Sequence, residues 1–262
     1  QVGVVGLGTM GSGIAQVCLT AGIDVIGVEL QEDALEIGKS RIEKNLSGAV
    51  KRGKMDEAAK DEILGRLSTS TDLNSLAECD LIIEVIVENL EVKLPLFEKL
   101  DAIAKEGAII ASNTSCLSVT AMAARTKRSE RVLGLHFFNP PYAMRLVEVI
   151  QAIQTAPEIM AFGIAFCQRI GKIPVPVKDR PGFLVNRLLV PYLNHVAQAF
   201  DSELADRETM DKVIKLGLGH PMGPLTLLDL VGIDVHTFVA DAIGGEIGEA
   251  RFVAPPILRR MT

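Results

Sequence analysis

Two titratable side chains sit alone inside apolar, strand-like runs: His136 in Val132 to Phe138, and Glu148 in Leu146 to Ile150. A carboxylate buried there unpaired would cost several kcal/mol, so Glu148 needs a cation or a donor, and His136 is the candidate. A histidine with one ring nitrogen held by a carboxylate makes a general base. Its pKa lies near working pH, the carboxylate fixes the tautomer and stabilises the imidazolium, and such a base contributes about 10²- to 10⁴-fold to a rate. Taken alone, a histidine on an apolar strand is more often a satisfied core residue. Two further polar features accompany the pair. Ser112-Asn113-Thr114-Ser115 follows a short apolar strand, Ala108 to Ala111, and exceeds what capping the helix around Val119 to Ala124 requires. Asn186 is an amide in an apolar helix and needs a buried partner.

The first thirty residues supply a place for a dinucleotide, and with NAD bound there a base must take the hydroxyl proton as hydride leaves carbon. Val2, Val4 and Val5 run into Gly6-x-Gly8-x-x-Gly11, after which Ile14, Val17, Cys18 and Ala21 fall at helical spacing. Gly22 stops that helix, and a second apolar strand, Asp24 to Val28, ends in Glu29. Strand, glycine turn, helix, strand and acid make one βαβ unit for a dinucleotide. Gly6 permits the tight turn, Gly8 lets backbone approach a pyrophosphate, and Gly11 lets helix pack on strand. Thr9 and Met10 lie within this cradle, and the helix aims its free N–H groups and positive dipole end at the phosphates. Glu29 can accept both ribose hydrogen bonds, whereas a 2′-phosphate would meet like charge, so NAD is expected rather than NADP.

The rest of the chain must position these groups. Gln31 to Arg66 is charged and helix-favouring, broken near Gly53, with Leu35, Ile42, Leu46 and Val50 at apolar positions. It is too long for a plain crossover and reads as a projecting hairpin of two helices bearing Arg41, Lys44, Lys51, Arg52 and Lys54; a solvated helix face would look the same. Leu81 to Val87 reads as a strand buried on both faces, followed by Glu88-Asn89. Lys93, five residues past Glu88, could pair with it near the cofactor or form an ordinary surface ion pair. Pro157 to Ile170 is a helix and Ile173 to Val177 a last strand, giving six to eight strands in a doubly wound sheet. Beyond Asp179 the pattern becomes helical, opening with a helix from Phe183 to Phe200, kinked at Pro191, whose apolarity on nearly every side requires burial all round.

The sequence is 262 residues long, 48% hydrophobic and 23% charged, with a net charge of -6. That balance argues against a general nucleic-acid binder. No apolar run reaches membrane-spanning length, and the four cysteines, Cys18, Cys79, Cys116 and Cys167, show neither CxxC nor metal-ligand spacing. The expectation is a cytoplasmic protein with no metal, no membrane partner and no nucleic-acid partner.

Together the motifs resemble the 3-hydroxyacyl-CoA dehydrogenase family along essentially the whole chain. They are GLGTMGSGIAQ at Gly6 to Gln16, VEN at Val87 to Asn89, SNTS at Ser112 to Ser115, LHFFNP at Leu135 to Pro140, LVEVI at Leu146 to Ile150, PGFLVNR at Pro181 to Arg187, and HPMGPLTLLDLVGID at His220 to Asp234. The resemblance implies an α/β fold: a Rossmann-type, doubly wound, mostly parallel sheet over 1-179 with a helical hairpin insertion at about 31-66, then a smaller all-α substrate and dimerisation domain over 180-262. It implies oxidation of a short (3S)-3-hydroxyacyl-CoA to the 3-oxoacyl-CoA with NAD, His136 acting as base, Glu148 as its partner, and Ser115 and Asn186 as hydrogen-bonding groups at the substrate oxygen. Cofactor contacts would fall on Glu29, Glu88, Lys93, Ser115 and Asn139. The thioester would lie between the domains, its CoA reaching the hairpin at Asn45 and Arg52, where the family often has serine and lysine. A homodimer is implied as well. Cys116 stands where relatives usually have serine, and hydride transfer gives it no nucleophilic task. Two other readings fit part of the pattern. GLGTMG also opens the small β-hydroxyacid dehydrogenases, which use a lysine where this chain offers Asn186, and a non-catalytic NAD-binding protein could share the fold.

Overall fold

A computed structural model describes all of residues 1–262. The chain divides into two compact units, Gln1–Thr114 with Ser118–Asp179, and Ser115–Leu117 with Arg180–Thr262.

The first unit is built on one eight-stranded sheet, whose strands are β1 (Val2–Val5), β2 (Val25–Val28), β3 (Leu67–Ser70), β4 (Leu81–Glu84), β5 (Ile109–Ser112), β6 (Val132–Phe137), β7 (Leu146–Gln151) and β8 (Ile173–Lys178), in the order β3-β2-β1-β4-β5-β6-β7-β8. All neighbours pair in parallel except β6 and β7, which are antiparallel. Strands β1, β4, β5 and β6 are buried at every residue, as a sheet covered on both faces requires. The order reverses between β1 and β4, and in open sheets of this kind ligands bind outside the carboxyl ends of the strands at that point.

Helix α1 (Thr9–Thr20) follows the glycine turn, and its Ile14, Val17, Cys18 and Leu19 enter the core with Val4 and Leu135. The hairpin comprises α2 (Glu32–Lys51) and α3 (Glu57–Gly65). It turns at Gly53, whose φ is +67, and Asp56 caps α3 by accepting from Ala59 N at 2.8 Å. It does not project along its whole length. Leu35, Gly38, Ile42 and Leu46 bury one stripe of α2, and Ile42 and Leu46 join the same core as α1. Helices α4 (Leu90–Ile103), α5 (Val119–Ala123) and α6 (Pro157–Arg169) complete the layers. The cap of α5 is Ser118, whose Oγ accepts from Ala121 N, backed by Asp179, which accepts from Thr120 N at 2.6 Å. The polar run Ser112 to Ser115 therefore has other work.

The second unit is helical: α7 (Val185–Asp201), α8 (Arg207–Leu218), α9 (Pro224–Val231), α10 (Ile233–Ile247) and α11 (Pro256–Met261). Cys116 packs in one of its apolar clusters with Val190, Ala240, Ile243, Phe252 and Ala254. This packing gives Ser115–Leu117 to the helical unit although the flanking residues belong to the sheet. The expectation that α7 is buried all round is corrected: Val190, Leu193, Val196 and Ala197 are buried, but Leu188 is 67% exposed and Leu184 45%.

Candidate active site

The glycine turn has the geometry of a cradle. Gly6 takes φ +95, and a Cβ there would lie 2.7 Å from Val85 O. A Cβ on Gly11 would lie 1.7 Å from Gly6 O, so only glycine lets α1 start this close to β1. Gly8 differs: a Cβ there would meet nothing within 4 Å, which leaves open space against the backbone. No side chain caps α1 and no acid occupies its first turn, so its N–H groups remain for an anion. Thr9 is exposed and Met10 half-buried beside that terminus. Glu29 is oriented by Leu7 N, which donates to its Oε1 at 2.6 Å. An uncapped helix, an open glycine and an oriented acid at the end of β2 fit a dinucleotide.

A second polar cluster lies at the carboxyl ends of β4 and β5. The apolar run from Leu81 is interrupted by Glu84, whose side chain is wholly buried. Lys93 is buried too, and its principal partner is Glu84, at 2.5 Å, rather than Glu88, at 3.3 Å. Ser112 Oγ donates to the other Glu84 oxygen at 2.6 Å and accepts from Thr114 N at 3.1 Å; Thr114 Oγ1 donates to Glu88 at 2.6 Å. Asn113 Oδ1 accepts from Phe137 N at 2.9 Å and ties the end of β5 to β6. Sequence reasoning missed Glu84, although an acid in the middle of an apolar run was the signal.

His136 and Glu148 face each other in register across the antiparallel β6–β7 pair, with Nδ1 and Oε2 2.8 Å apart. Both are buried, His136 4% exposed and Glu148 1%. Directly opposed residues project to the same face, which is why twelve residues of chain can bring them together. The contact engages Nδ1, not Nε2, with the Glu148 carboxylate. The Phe138 ring packs on His136, centroids 4.5 Å apart. Asn139, exposed, follows β6 and precedes a cis bond to Pro140.

In the helical unit, Asn186 lies in the first turn of α7 and donates from Nδ2 to Ser115 O at 3.1 Å. The amide thus finds a partner in the very residue that closes the SNTS run.

The hairpin lines a groove of about 840 Å³ with α1 and the end of α6. Asn45 and Arg52 are both in its wall, Asn45 donating to Gln16 Oε1 at 3.0 Å. Lys44, Lys51 and Lys54 join them from the hairpin, Arg169 from the last turn of α6 and Lys172 from just beyond it; no carboxylate lines the groove. Lys172 is buried, which pulls its pKa down, and its Nζ donates to Pro141 O and Met144 O. Arg169 and Lys172 are more than a hundred residues from the hairpin, and no pattern in the sequence pointed to them.

A mostly parallel dinucleotide-type sheet carrying a buried histidine–carboxylate pair fits a nicotinamide-dependent dehydrogenase. Residues 1–180 match the 3-hydroxyacyl-CoA dehydrogenase NAD-binding domain and residues 182–262 the C-terminal domain of the same enzymes. The chain is 44% identical over 263 residues to a 3-hydroxybutyryl-CoA dehydrogenase of Mycobacterium tuberculosis, covering 100% of this chain and 92% of that one. Among solved structures it resembles FadB2 of M. tuberculosis, with a TM-score of 0.97, 44% identity and coverage of 100% and 92%. It also resembles the (S)-3-hydroxybutyryl-CoA dehydrogenase of Ralstonia eutropha, with a TM-score of 0.95, 39% identity and coverage of 99% and 92%. The chain belongs to the 3-hydroxyacyl-CoA dehydrogenase family. Of the two enzyme families that the glycine turn suggested, this is the one matched over both parts of the chain.

Proposed function

We propose that the protein is an NAD-dependent dehydrogenase that interconverts short (3S)-3-hydroxyacyl-CoA and 3-oxoacyl-CoA thioesters. The observation that carries this reading is the buried His136–Glu148 pair on a dinucleotide sheet. NAD, when bound, supplies the hydride acceptor for C3 of the substrate. His136 Nε2 takes the hydroxyl proton in oxidation and returns it in reduction, while Glu148 holds the tautomer and balances the imidazolium charge. The Ser115 hydroxyl and the Asn186 amide serve as hydrogen-bonding groups for the substrate oxygen. Gly6, Gly8, Thr9, Met10 and Gly11 cradle the pyrophosphate and Glu29 takes the ribose, which favours NAD over NADP. Glu88, Lys93, Ser115 and Asn139 hold the other end of the cofactor.

The groove beside Asn45 and Arg52 takes the phosphates of CoA, and its six cations without a carboxylate support that choice. The protein functions as a cytoplasmic homodimer. Supporting a second copy are the large apolar side chains that the helical unit leaves exposed, Leu188, Leu216, Leu230 and Phe238 among them. The net charge of -6 speaks against nucleic acid as a partner, and no helix is long and apolar enough to cross a membrane.

The experiment is NADH oxidation with acetoacetyl-CoA and, in parallel, with free acetoacetate. Turnover of the thioester alone is expected. Comparable turnover of the free acid would remove the role given to CoA, and tight NADH binding without turnover of either would leave a binding protein.

A further inference from the structure

The cluster around Glu84 is a closed ring of hydrogen bonds and ion pairs. Glu84 joins Lys93, Lys93 joins Glu88, Glu88 joins Thr114, Thr114 joins Ser112, and Ser112 returns to Glu84. Glu84 ties this ring to the backbone as well as to its side chains. One oxygen accepts from Lys93 Nζ at 2.5 Å and from Ile86 N at 2.8 Å, and the other from Ser112 Oγ at 2.6 Å. It is fully buried, so each of those donors is satisfied without water.

Stability alone does not call for such a group. Two carboxyl groups share one buried ammonium, and a buried charge cluster is often no more stable than a well-packed apolar one. Its position gives the better reason. Val5, Glu84 and Ser112 are in register, the last residues of β1, β4 and β5, immediately before Gly6, Val85 and Asn113. Through Ile86 N, Glu84 shapes the turn that carries Glu88; through Ser112 and Thr114 N it shapes the turn that leads to Ser115. The glycine turn and Glu29 occupy the β1–β2 half of the sheet, so the β4–β5 ends fall to the nicotinamide half of a dinucleotide.

We propose that Glu84 is a positioning residue for the nicotinamide half of the cofactor, ordering Lys93 and the two strand-end turns before binding and setting a negative local charge that favours the oxidised, cationic ring over the reduced, neutral one. The inference rests on the NAD reading given above. It adds a residue that touches neither substrate nor cofactor and acts through Lys93 and Ser112.

The test is equilibrium titration without thioester: NADH binding by its fluorescence and NAD⁺ binding by competition, for wild type, Glu84→Gln and Glu84→Asp. Glu84→Gln removes the charge and keeps the shape. It should weaken NAD⁺ binding on the order of tenfold, the effect of one charge at short range in a protein, and NADH binding much less, so the affinity ratio shifts. Glu84→Asp keeps the charge and loses reach, and should weaken both forms by a similar factor. Wild-type affinities in both variants, or an unchanged ratio in Glu84→Gln with only a lower thermal midpoint, would overturn the proposal. Should Glu84→Gln not fold, Glu84→Asp decides alone, parallel weakening supporting the proposal and wild-type affinities refuting it. Wild type that binds neither form of the cofactor would instead defeat the NAD reading on which the proposal rests. Wild type that binds both but reduces no thioester defeats only the substrate assignment.

Discussion

The helical unit contains a built-in acid sensitivity whose size follows from one side chain. His236 on α10 is 3% exposed, and burial pushes its pKa down from 6.5 to about 4. Its Nε2 lies 2.9 Å from Asn194 Oδ1, while Asn194 Nδ2 donates to Arg251 O and Val253 O. Oδ1 is therefore the acceptor and Nε2 carries the hydrogen, so a second proton would have to enter on Nδ1 at a buried site. Between the two pKa values the unfolded chain binds a proton that the folded one refuses, and stability falls as pH is lowered. With 6.5 and 4 the loss is about 2 kcal/mol at pH 5 and about 3 kcal/mol at pH 4, relative to neutral pH. For a chain of this length 1 kcal/mol moves the melting temperature by roughly 2 °C or more, so wild type should lose about 4 °C or more by pH 5 from this residue alone. The assay is thermal unfolding from pH 7 to pH 4 for wild type and His236→Gln, which keeps a donor toward Asn194 but does not titrate. Carboxylate contributions are common to both proteins and cancel in the difference. The two curves should converge by about the stated energy as pH falls; parallel curves would refute the assignment.

Three further outcomes are expected. Glu29→Gln keeps the bond from Leu7 N and removes the like charge, so the preference for NADH over NADPH should fall on the order of tenfold in kcat/KM, and an unchanged preference would count against Glu29 as the discriminator. Gly11→Ala places a Cβ 1.7 Å from Gly6 O, so the turn must open and NADH binding in titration should be lost; binding within twofold of wild type would mean the turn is not the cradle. Glu148→Gln leaves His136 without its carboxylate and should lower kcat by about 10²- to 10⁴-fold with little change in KM for NADH, whereas a KM effect alone would assign Glu148 to packing.

The parts of the fold legible in the sequence are those in which one physical requirement dominates. The first βαβ unit reads clearly because its glycines answer separate steric demands and its strands are buried on both faces. The antiparallel His136–Glu148 contact was open to reasoning because an unpaired buried carboxylate demands a partner and only one candidate lay on the next strand. Other features depend on contacts that no local pattern carries. Strand β3, Leu67-Ser-Thr-Ser70, is a half-polar edge strand held by pairing with β2, and it has no apolar alternation to betray it. Lys93 does reach Glu88, its near neighbour in sequence, but its shorter contact, with Glu84, is set by how α4 packs and had no local signal. The assignment of Ser115–Leu117 to the helical unit follows from the burial of Cys116 among residues 190 to 254, a tertiary fact. Helix α7 misled in the opposite direction, since its apolarity announced burial all round and Leu188 is nevertheless exposed.

The most direct measurement of the central claim compares His136→Ala with wild type in two experiments, NADH binding by titration and NADH oxidation with acetoacetyl-CoA. NADH affinity should stay within about twofold of wild type and turnover should fall by about 10²-fold or more, because the dinucleotide cradle is untouched while the proton acceptor is gone. Retained turnover with intact cofactor binding would contradict it, and the reaction would then need a different base.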